Sequence, residues 1–453
     1  MTIDAQPASP RPAHHDRKML VLSMLGGALE VYDFIIFFFF AVTLSRVFFP
    51  PDMPQWLKLL QSFGIFATGY LARPLGGIWM AHFADRSGRK RVFSLTVLLM
   101  ALPCFAIGIM PTYAQIGYLA PLVLLAMRIL QGAAVGGEVP SAWAFVAEHA
   151  HSGRRGYVLG MLQAGLTLGY LLGALTGAVL ERCFSPAQML DYGWRIPFIL
   201  GGLFGLVGVW MRRRLSETPR FLEMQGRRTA AVAFPLREVI RAQRSAFMPA
   251  VALTAVLTSA VVVLVIVTPT FMQQRFGLAA RETFAISSVG IVFLNIGCVI
   301  AGLVVDRIGA WKAVALYSAL LPVGTAALYA SLAGGGHGVA IALAYAFAGL
   351  LSGVVGAVPS VMVALFSTAM RVSGISFTYN LTYAIWASAA SLALVALMPA
   401  SAWVCVQFTL GAGVLGVVTA LRYGRKVYFG DWHGHLDFPA TARTAEAAPG
   451  RSA

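Results

Sequence analysis

The chain has 453 residues, of which 58% are hydrophobic and only 11% charged, where an ordinary soluble domain is about 25% charged, and this excludes a typical soluble enzyme. Its 34 Lys and Arg against 18 Asp and Glu leave a formal charge of +16, but the polar, groove-reading surface of a nucleic-acid binder is missing. Four cysteines, Cys104, Cys183, Cys298 and Cys405, lie far apart without CxxC spacing or a paired His, so packing is expected of them rather than a zinc site or disulfide framework.

A helix needs about 20 mostly apolar residues to cross a hydrocarbon core of roughly 30 Å. Twelve stretches satisfy this, the first six running Met19 to Phe49, Leu57 to Ala84, Val92 to Met110, Ile116 to Ala147, Tyr157 to Leu180 and Trp194 to Met211. After a long break come Phe247 to Met272, Thr283 to Val305, Lys312 to Leu332, Val339 to Phe366, Val372 to Met398 and Ser401 to Leu421. All are predicted to be helices, because a barrel strand would alternate apolar and polar residues. The first is too long for a signal-peptide core and lacks a small-residue cleavage pattern, so it is expected to remain a helix. The domain plan is a disordered N-terminus (1–18), a six-helix bundle (19–211), a connector (212–246), a second six-helix bundle (247–421) and a tail (422–453).

Basic residues set the orientation. With the N-terminus cytoplasmic, 26 of the 34 fall on the inner side, six outside (Arg46, Lys58, Arg182, Arg195, Arg275 and Arg281), and two, Arg73 and Arg128, within spans. Both termini are therefore expected in the cytoplasm, and the charge reads as topology rather than as a nucleic-acid surface.

The turn between spans two and three, AHFADRSGRKR, and that between spans eight and nine, GLVVDRIGAWK, share Asp-Arg-x-Gly, and their aspartates Asp85 and Asp306 are 221 residues apart, close to half the chain. Two parallel six-helix repeats are implied, the plan of a transporter with its site near mid-membrane between the halves.

Asp85-Arg86-Ser87-Gly88-Arg89-Lys90 resembles the signature loop of the major facilitator superfamily. More specific are Glu30-Val31-Tyr32-Asp33-Phe34, Arg73-Pro74-Leu75-Gly76-Gly77, Arg128-Ile129-Leu130-Gln131-Gly132 with Gly136-Gly137-Glu138, Trp194-Arg195-Ile196-Pro197-Phe198, Glu217-Thr218-Pro219-Arg220-Phe221, and Tyr379-Asn380. Together they resemble the metabolite:proton symporter family, whose members carry organic acids such as citrate and 2-oxoglutarate, shikimate, or zwitterions such as proline and betaine. The resemblance implies an all-α membrane protein of twelve helices in two pseudo-symmetric bundles. The chain departs from the family at Ala81 and Ala84, where Gly is usual, at Trp386-Ala387-Ser388, where Phe-Gly-Gly is usual, and at Ala364, where an acid is expected, while Arg371 is retained.

A charge at mid-bilayer costs at least about 2.5–3.5 kcal/mol, so buried charges need partners or a water-filled cavity. Counting residues from the inner edge places Glu30 and Arg73 at a similar depth of about 18 Å. Glu30 and Asp33, at i and i+3, share a helix face. Summed as one set, Arg73 and Arg128 oppose Glu30, Asp33 and Glu138, an imbalance that favours one carboxyl holding a proton. Asp33, or else Glu30, is expected to alternate between pairing with Arg128 and carrying that proton; the sugar-proton porters look similar here, with an acid in the first helix and an Arg in the fourth. The plainer alternative is that these groups form permanent ion pairs that fix helix register. Arg73 is the better candidate for binding a substrate carboxylate, since a guanidinium forms two parallel hydrogen bonds to it, although a packing role beside the Pro74 kink is the competing reading. Arg128, Tyr379 and Asn380 complete the candidate substrate set; Gln163, Gln273, Asn295, Tyr383 and Trp386 are further polar residues to which no role is given. A cytoplasmic gate is expected from Asp85, Arg86, Arg89, Glu148, Arg155, Glu217, Arg220, Asp306 and Arg307, made of weak exposed pairs that open repeatedly.

Gly165, Gly169, Gly173 and Gly177 form a small-residue stripe for close helix approach, and the fifth span lacks the Gly-Pro pair of the drug and proton antiporters. There is no P-loop, HExxH or GxSxG sequence, so ATP hydrolysis and chemistry on the substrate are not expected, nor are a cofactor or metal. The reading is an inner-membrane, multi-pass symporter, functional as a monomer, that imports a carboxylate-bearing metabolite with protons, with an organic acid favoured. The alternatives are a zwitterion symporter, an exporter or antiporter on the same fold, and a transporter-like metabolite sensor.

Overall fold

The computed structural model describes residues 13–87, 89–134, 138–150, 152–213, 244–366 and 371–424, and among these the regular structure is all helical. The first half consists of α1 (Ala13–Phe39, continued after a 58° bend by Ala41–Val47), α2 (Gln55–Ser87), α3 (Arg89–Ile109), α4 (Leu119–Ala134 and Glu138–His149), α5 (Arg155–Cys183) and α6 (Ile196–Arg213). The second consists of α7 (Arg244–Val261, Val262–Val267 and Thr268–Gln274), α8 (Ala280–Ile308), α9 (Ala310–Ala333), α10 (Val339–Leu351 and Val354–Leu365), α11 (Arg371–Leu397) and α12 (Val404–Tyr423). These are the twelve expected spans. Eight described helices are long and apolar enough to cross a membrane as they stand, and the bent first pair makes a ninth. Most of the connector and tail, together with residues 1–12, lie outside the described residues.

The helices pack as membrane helices do, by backbone approach at small residues. The predicted stripe on α5 lies against α1: a Cβ on Gly169 would stand 2.3 Å from the Ala28 carbonyl oxygen. Farther along, α5 crosses α8, where a Cβ on Gly156 would lie 2.6 Å from the Gly302 carbonyl oxygen. The Trp194 to Phe198 motif proves structural. Arg195 donates to the carbonyls of Gly108 (3.2 Å) and Met110 (2.7 Å), Tyr32 donates to that of Pro197 (3.1 Å), and Trp194 is fully buried edge-on to Phe48. The motif thus ties the start of α6 to the end of α3 and to α1.

Besides the bend in α1, two helices of the second half depart locally from α geometry. In α7, Pro269 has no N–H to donate; the chain makes a π turn over Val262–Val267, and the Thr268 hydroxyl donates to Val263 O at 2.7 Å. In α10 the helix stops at Leu351, the Ser352 N–H shared between the carbonyls of Ala348 and Gly349, and restarts at Val354. One end of the molecule carries the start of α1, the α2–α3 turn, the α8–α9 turn and the start of α11; this is the basic end.

Candidate functional site

Arg128 is completely buried, and rings enclose it. Its guanidinium carbon lies 4.4 Å from the ring centre of Phe34, 4.7 Å from that of Phe37 and 4.6 Å from that of Phe66. Nη1 donates to Gln131 Oε1 at 2.5 Å and to the Phe34 carbonyl at 3.4 Å, while Nε and Nη2 have no acceptor. Gln131, one turn along α4, passes its amide N–H on to the Asp33 carbonyl at 3.0 Å. The next residue brings the helices together: a Cβ on Gly132 would lie 1.9 Å from the Gly69 carbonyl oxygen. Gly132→Ala is therefore expected to cost at least about 1–3 kcal/mol through overpacking. The cost is read as a lower unfolding temperature in detergent, while Gly64→Ala, whose Cβ meets nothing within 4 Å, leaves that temperature unchanged.

Arg73 lies where the halves meet. Its guanidinium carbon is 4.3 Å from the ring centre of Phe34, 4.5 Å from that of Tyr70 and 5.7 Å from that of Tyr383, and its Nε has no acceptor. Tyr70 on α2 packs on Tyr383 of α11 at 5.4 Å between centroids, Tyr383 on Tyr379 at 5.3 Å, and Tyr379 edge-on to Trp143 of α4 at 5.0 Å. A band of aromatic faces thus spans the junction, with two guanidinium groups stacked on its first-half side. The Ser388 hydroxyl, where the family has Gly, donates to the Ala67 carbonyl across the same junction at 3.1 Å. Asn380 donates to Ser376 O one turn back on its own helix at 2.9 Å. Gln163 accepts from Trp143, Thr167 and Asn295 join α5 to α8 by a hydrogen bond, and Trp386 donates to Ser259 within the second half.

Asp33 does not pair with Arg128, contrary to expectation. Only 1% exposed, it points toward α6, where a Cβ on Gly201 would lie 2.9 Å from Oδ1 and one on Gly205 3.1 Å from Oδ2. These two glycines of α6 clear the space that the carboxylate fills, and Arg128 reaches only the backbone of Asp33 and Phe34, directly and through Gln131. Asp33 Oδ1 has no hydrogen-bond partner. Both Asp33 and Glu30, i and i+3 on α1, line a small crevice bounded by Gly26, Leu29, Met100, Phe204, Gly205 and Gly208. The Asp33 carboxylate and the guanidiniums therefore do not meet: Asp33 faces α6, about 100° around α1 from Phe34.

At the basic end, an ion pair and a helix cap join the halves. Glu148 of α4 meets Arg371 of α11 at 2.8 Å. Asp306, at the end of α8, accepts from the N–H groups of Gly156 (2.7 Å) and Tyr157 (2.8 Å), capping the first turn of α5 from the other half of the molecule. Arg155 is half-buried beside this cap and Arg307 is exposed. Exposed pairs contribute about 0–1 kcal/mol, so Glu148→Gln is expected to alter transport by less than about fivefold. Asp306→Ala strands two helix N–H groups and costs about 0.5–2 kcal/mol. Initial uptake rates into proteoliposomes should rank its effect above that of Glu148→Gln. The side chains of Asp85, Arg86, Arg89 and Glu138 lie outside the described residues, as do Glu217 and Arg220 entirely.

Sequence reading missed Phe34, Phe66, Tyr70 and Gln131 as members of the site and Arg371 as the partner of Glu148. One signal was available: Phe66, Tyr70 and Arg73, at i, i+4 and i+7, share a face of α2, and Tyr379 and Tyr383, at i and i+4, share a face of α11.

The sequence pattern of the Major Facilitator Superfamily matches residues 34–391. The chain is 28% identical over 425 residues to a proline/betaine transporter of Escherichia coli (strain K12), spanning 89% of this chain and 83% of that protein. It is 30% identical over 378 residues to the ectoine/proline transporter ProP of Corynebacterium glutamicum, spanning 80% of this chain and 75% of that one. Among solved structures, the proton:xylose symporter XylE bound to 6-bromo-6-deoxy-D-glucose superposes with a TM-score of 0.70 at 17% identity, over 92% of this chain and 97% of that one.

Proposed function

The chain belongs to the Major Facilitator Superfamily, and from that premise we propose that it is a proton-coupled symporter that imports a small zwitterion, bearing a carboxylate and a substituted ammonium, by alternating access. The observation that carries this reading is Arg73, a guanidinium with an unsatisfied Nε resting on the faces of Phe34 and Tyr70 and near Tyr383, at the meeting of the halves. A carboxylate binds a guanidinium through two parallel hydrogen bonds. Aromatic faces attract quaternary ammonium groups. In the state described, the arginine occupies those faces; a substrate carboxylate draws it off, and the ammonium takes the vacated rings. A zwitterion satisfies both groups at once. The relatives named for proline, betaine and ectoine support this substrate class over the organic acid favoured on sequence, between which the buried arginines do not choose.

Asp33 carries the proton, with Glu30 beside it. The basic end faces the cytoplasm of a multi-pass inner-membrane protein, and the Glu148–Arg371 pair and the Asp306 cap hold that end shut until the halves tilt. Arg128 keeps α1 and α4 in register and lends positive charge to the site. A second reading, a dicarboxylate held by Arg73 and Arg128 together, is favoured by the presence of two guanidinium groups within reach of the ring of Phe34.

The test is uptake of labelled proline, glycine betaine, ectoine, succinate, citrate, 2-oxoglutarate and shikimate into proteoliposomes, with and without an inward proton gradient. Gradient-stimulated accumulation of a zwitterion is expected. Stimulation confined to di- and tricarboxylates transfers the assignment to the second reading. Efflux driven by the same gradient identifies an antiporter, and absence of flux for the whole panel removes the transport reading of this site.

A further inference from the structure

The carboxylate of Asp33 is buried, one of its oxygens lacks a partner, and it lines a crevice that the substrate junction does not share. The crevice is walled by α1, α3 and α6 and is roomy enough to hold a water molecule. Asp33 lies deepest along it; Glu30, Gly26 and Gly208 succeed one another toward the basic end, one turn at a time on α1 and beyond Gly205 on α6. The other groups around Asp33 offer no competing site. On its own helix Tyr32 donates to Pro197; α3 brings Cys104, whose thiol meets the Asp33 carbonyl at 3.9 Å; α4 brings Arg128 and Gln131 to backbone only; and α6 brings Gly201, Phe204 and Gly205.

We propose that protons leave Asp33 for the cytoplasm through this α1–α3–α6 crevice, past Glu30 and Gly208, along a route separate from the one the substrate takes between the halves. The proposal rests on Asp33 as the proton carrier. The wall of α1 then lets the two cargoes be released on different sides of one helix, and coupling runs through the Asp33–Phe34 backbone that Arg128 and Gln131 hold.

Gly208 gives the test, because it lines the crevice and a Cβ there meets nothing within 4 Å, so a side chain begun there starts in open space. In proteoliposomes with labelled proline or glycine betaine, Gly208→Leu is expected to lower gradient-driven accumulation at least tenfold and leave substrate counterflow within twofold of wild type. Accumulation within twofold of wild type overturns the route. Should Gly208→Leu fold poorly, Gly208→Cys in a chain with its four native cysteines replaced by alanine decides the matter. Expected is reaction with a small charged methanethiosulfonate that blocks accumulation and is not slowed by saturating substrate. An unreactive cysteine, or one that substrate protects, overturns the separate route. Asp33→Asn distinguishes the failures: if it still accumulates substrate, the carrier assignment is wrong, whereas if it does not and Gly208→Leu does, only the route is wrong.

Discussion

Asp33→Asn is expected to abolish concentrative uptake, to less than about a hundredth of wild type, while exchange of labelled for unlabelled substrate continues at a rate close to that of wild type. The substitution keeps the shape of the side chain and fixes it in a neutral state. The space between Gly201 and Gly205 accepts an amide as it accepts the acid, and the Arg128 and Gln131 hydrogen bonds, which end on backbone oxygens, are undisturbed. A charge held there without a partner costs at least about 2.5–3.5 kcal/mol, so on the proposed mechanism the carrier turns over readily only when that position is neutral. In the wild type, neutrality requires a proton, and moving substrate moves the proton with it. In the variant it requires nothing, so substrate equilibrates without being concentrated. A second consequence follows: exchange by the wild type should vary with pH on the loading side, and exchange by Asp33→Asn should not. Full concentrative uptake by the variant, or loss of exchange together with uptake in a protein that remains folded, would refute the role assigned to Asp33.

Arg73→Ala is expected to raise KM by about 10- to 100-fold, since a hydrogen bond to a charged group contributes about 1.5–3 kcal/mol. Arg73→Lys should recover little, because an ammonium cannot form the planar fork and leaves the ring faces differently occupied. The ring positions then identify the ligand. For a zwitterion, Tyr383→Leu removes an aromatic face and should weaken binding by about 2- to 30-fold, while Tyr383→Phe keeps the face and should be nearly silent. For a dicarboxylate there is no cation to lose, and Tyr383→Leu should change KM by less than twofold. Measuring KM for glycine betaine and succinate on the same three variants therefore separates the two substrate classes without reference to any relative.

The spans were legible because their signal is one of length: each stretch of about 20 apolar residues became a helix, with ends displaced by a few residues where helices extend into polar turns, as α2 does to Ser87. A shared face was legible too: Glu30 and Asp33 line one crevice as their spacing requires. What a sequence of this kind does not carry is the direction in which a helix face points. Asp33 and Phe34 are adjacent, yet about 100° of rotation separates them; one meets α6 and the other the guanidiniums of α2 and α4. The neighbours that decide this, Gly201 and Gly205, lie far along the chain and have no side chain to suggest a partner. The aromatic band was hidden for a related reason: phenylalanine and tyrosine fill any apolar helix, and only the junction of the halves distinguishes those that meet a cation.

The bend at Phe40 in α1 and the π turn before Pro269 in α7 fall at the same end of equivalent helices. A straight rod can only lean as a whole, so opening one doorway would force the opposite one closed in the same stroke. A rod hinged near its tip can fold that tip over the cargo while its longer arm stays still. On the alternating-access reading proposed above, such tips would let the chain hold its passenger with both doorways shut, an interval in which neither side of the membrane has access to it.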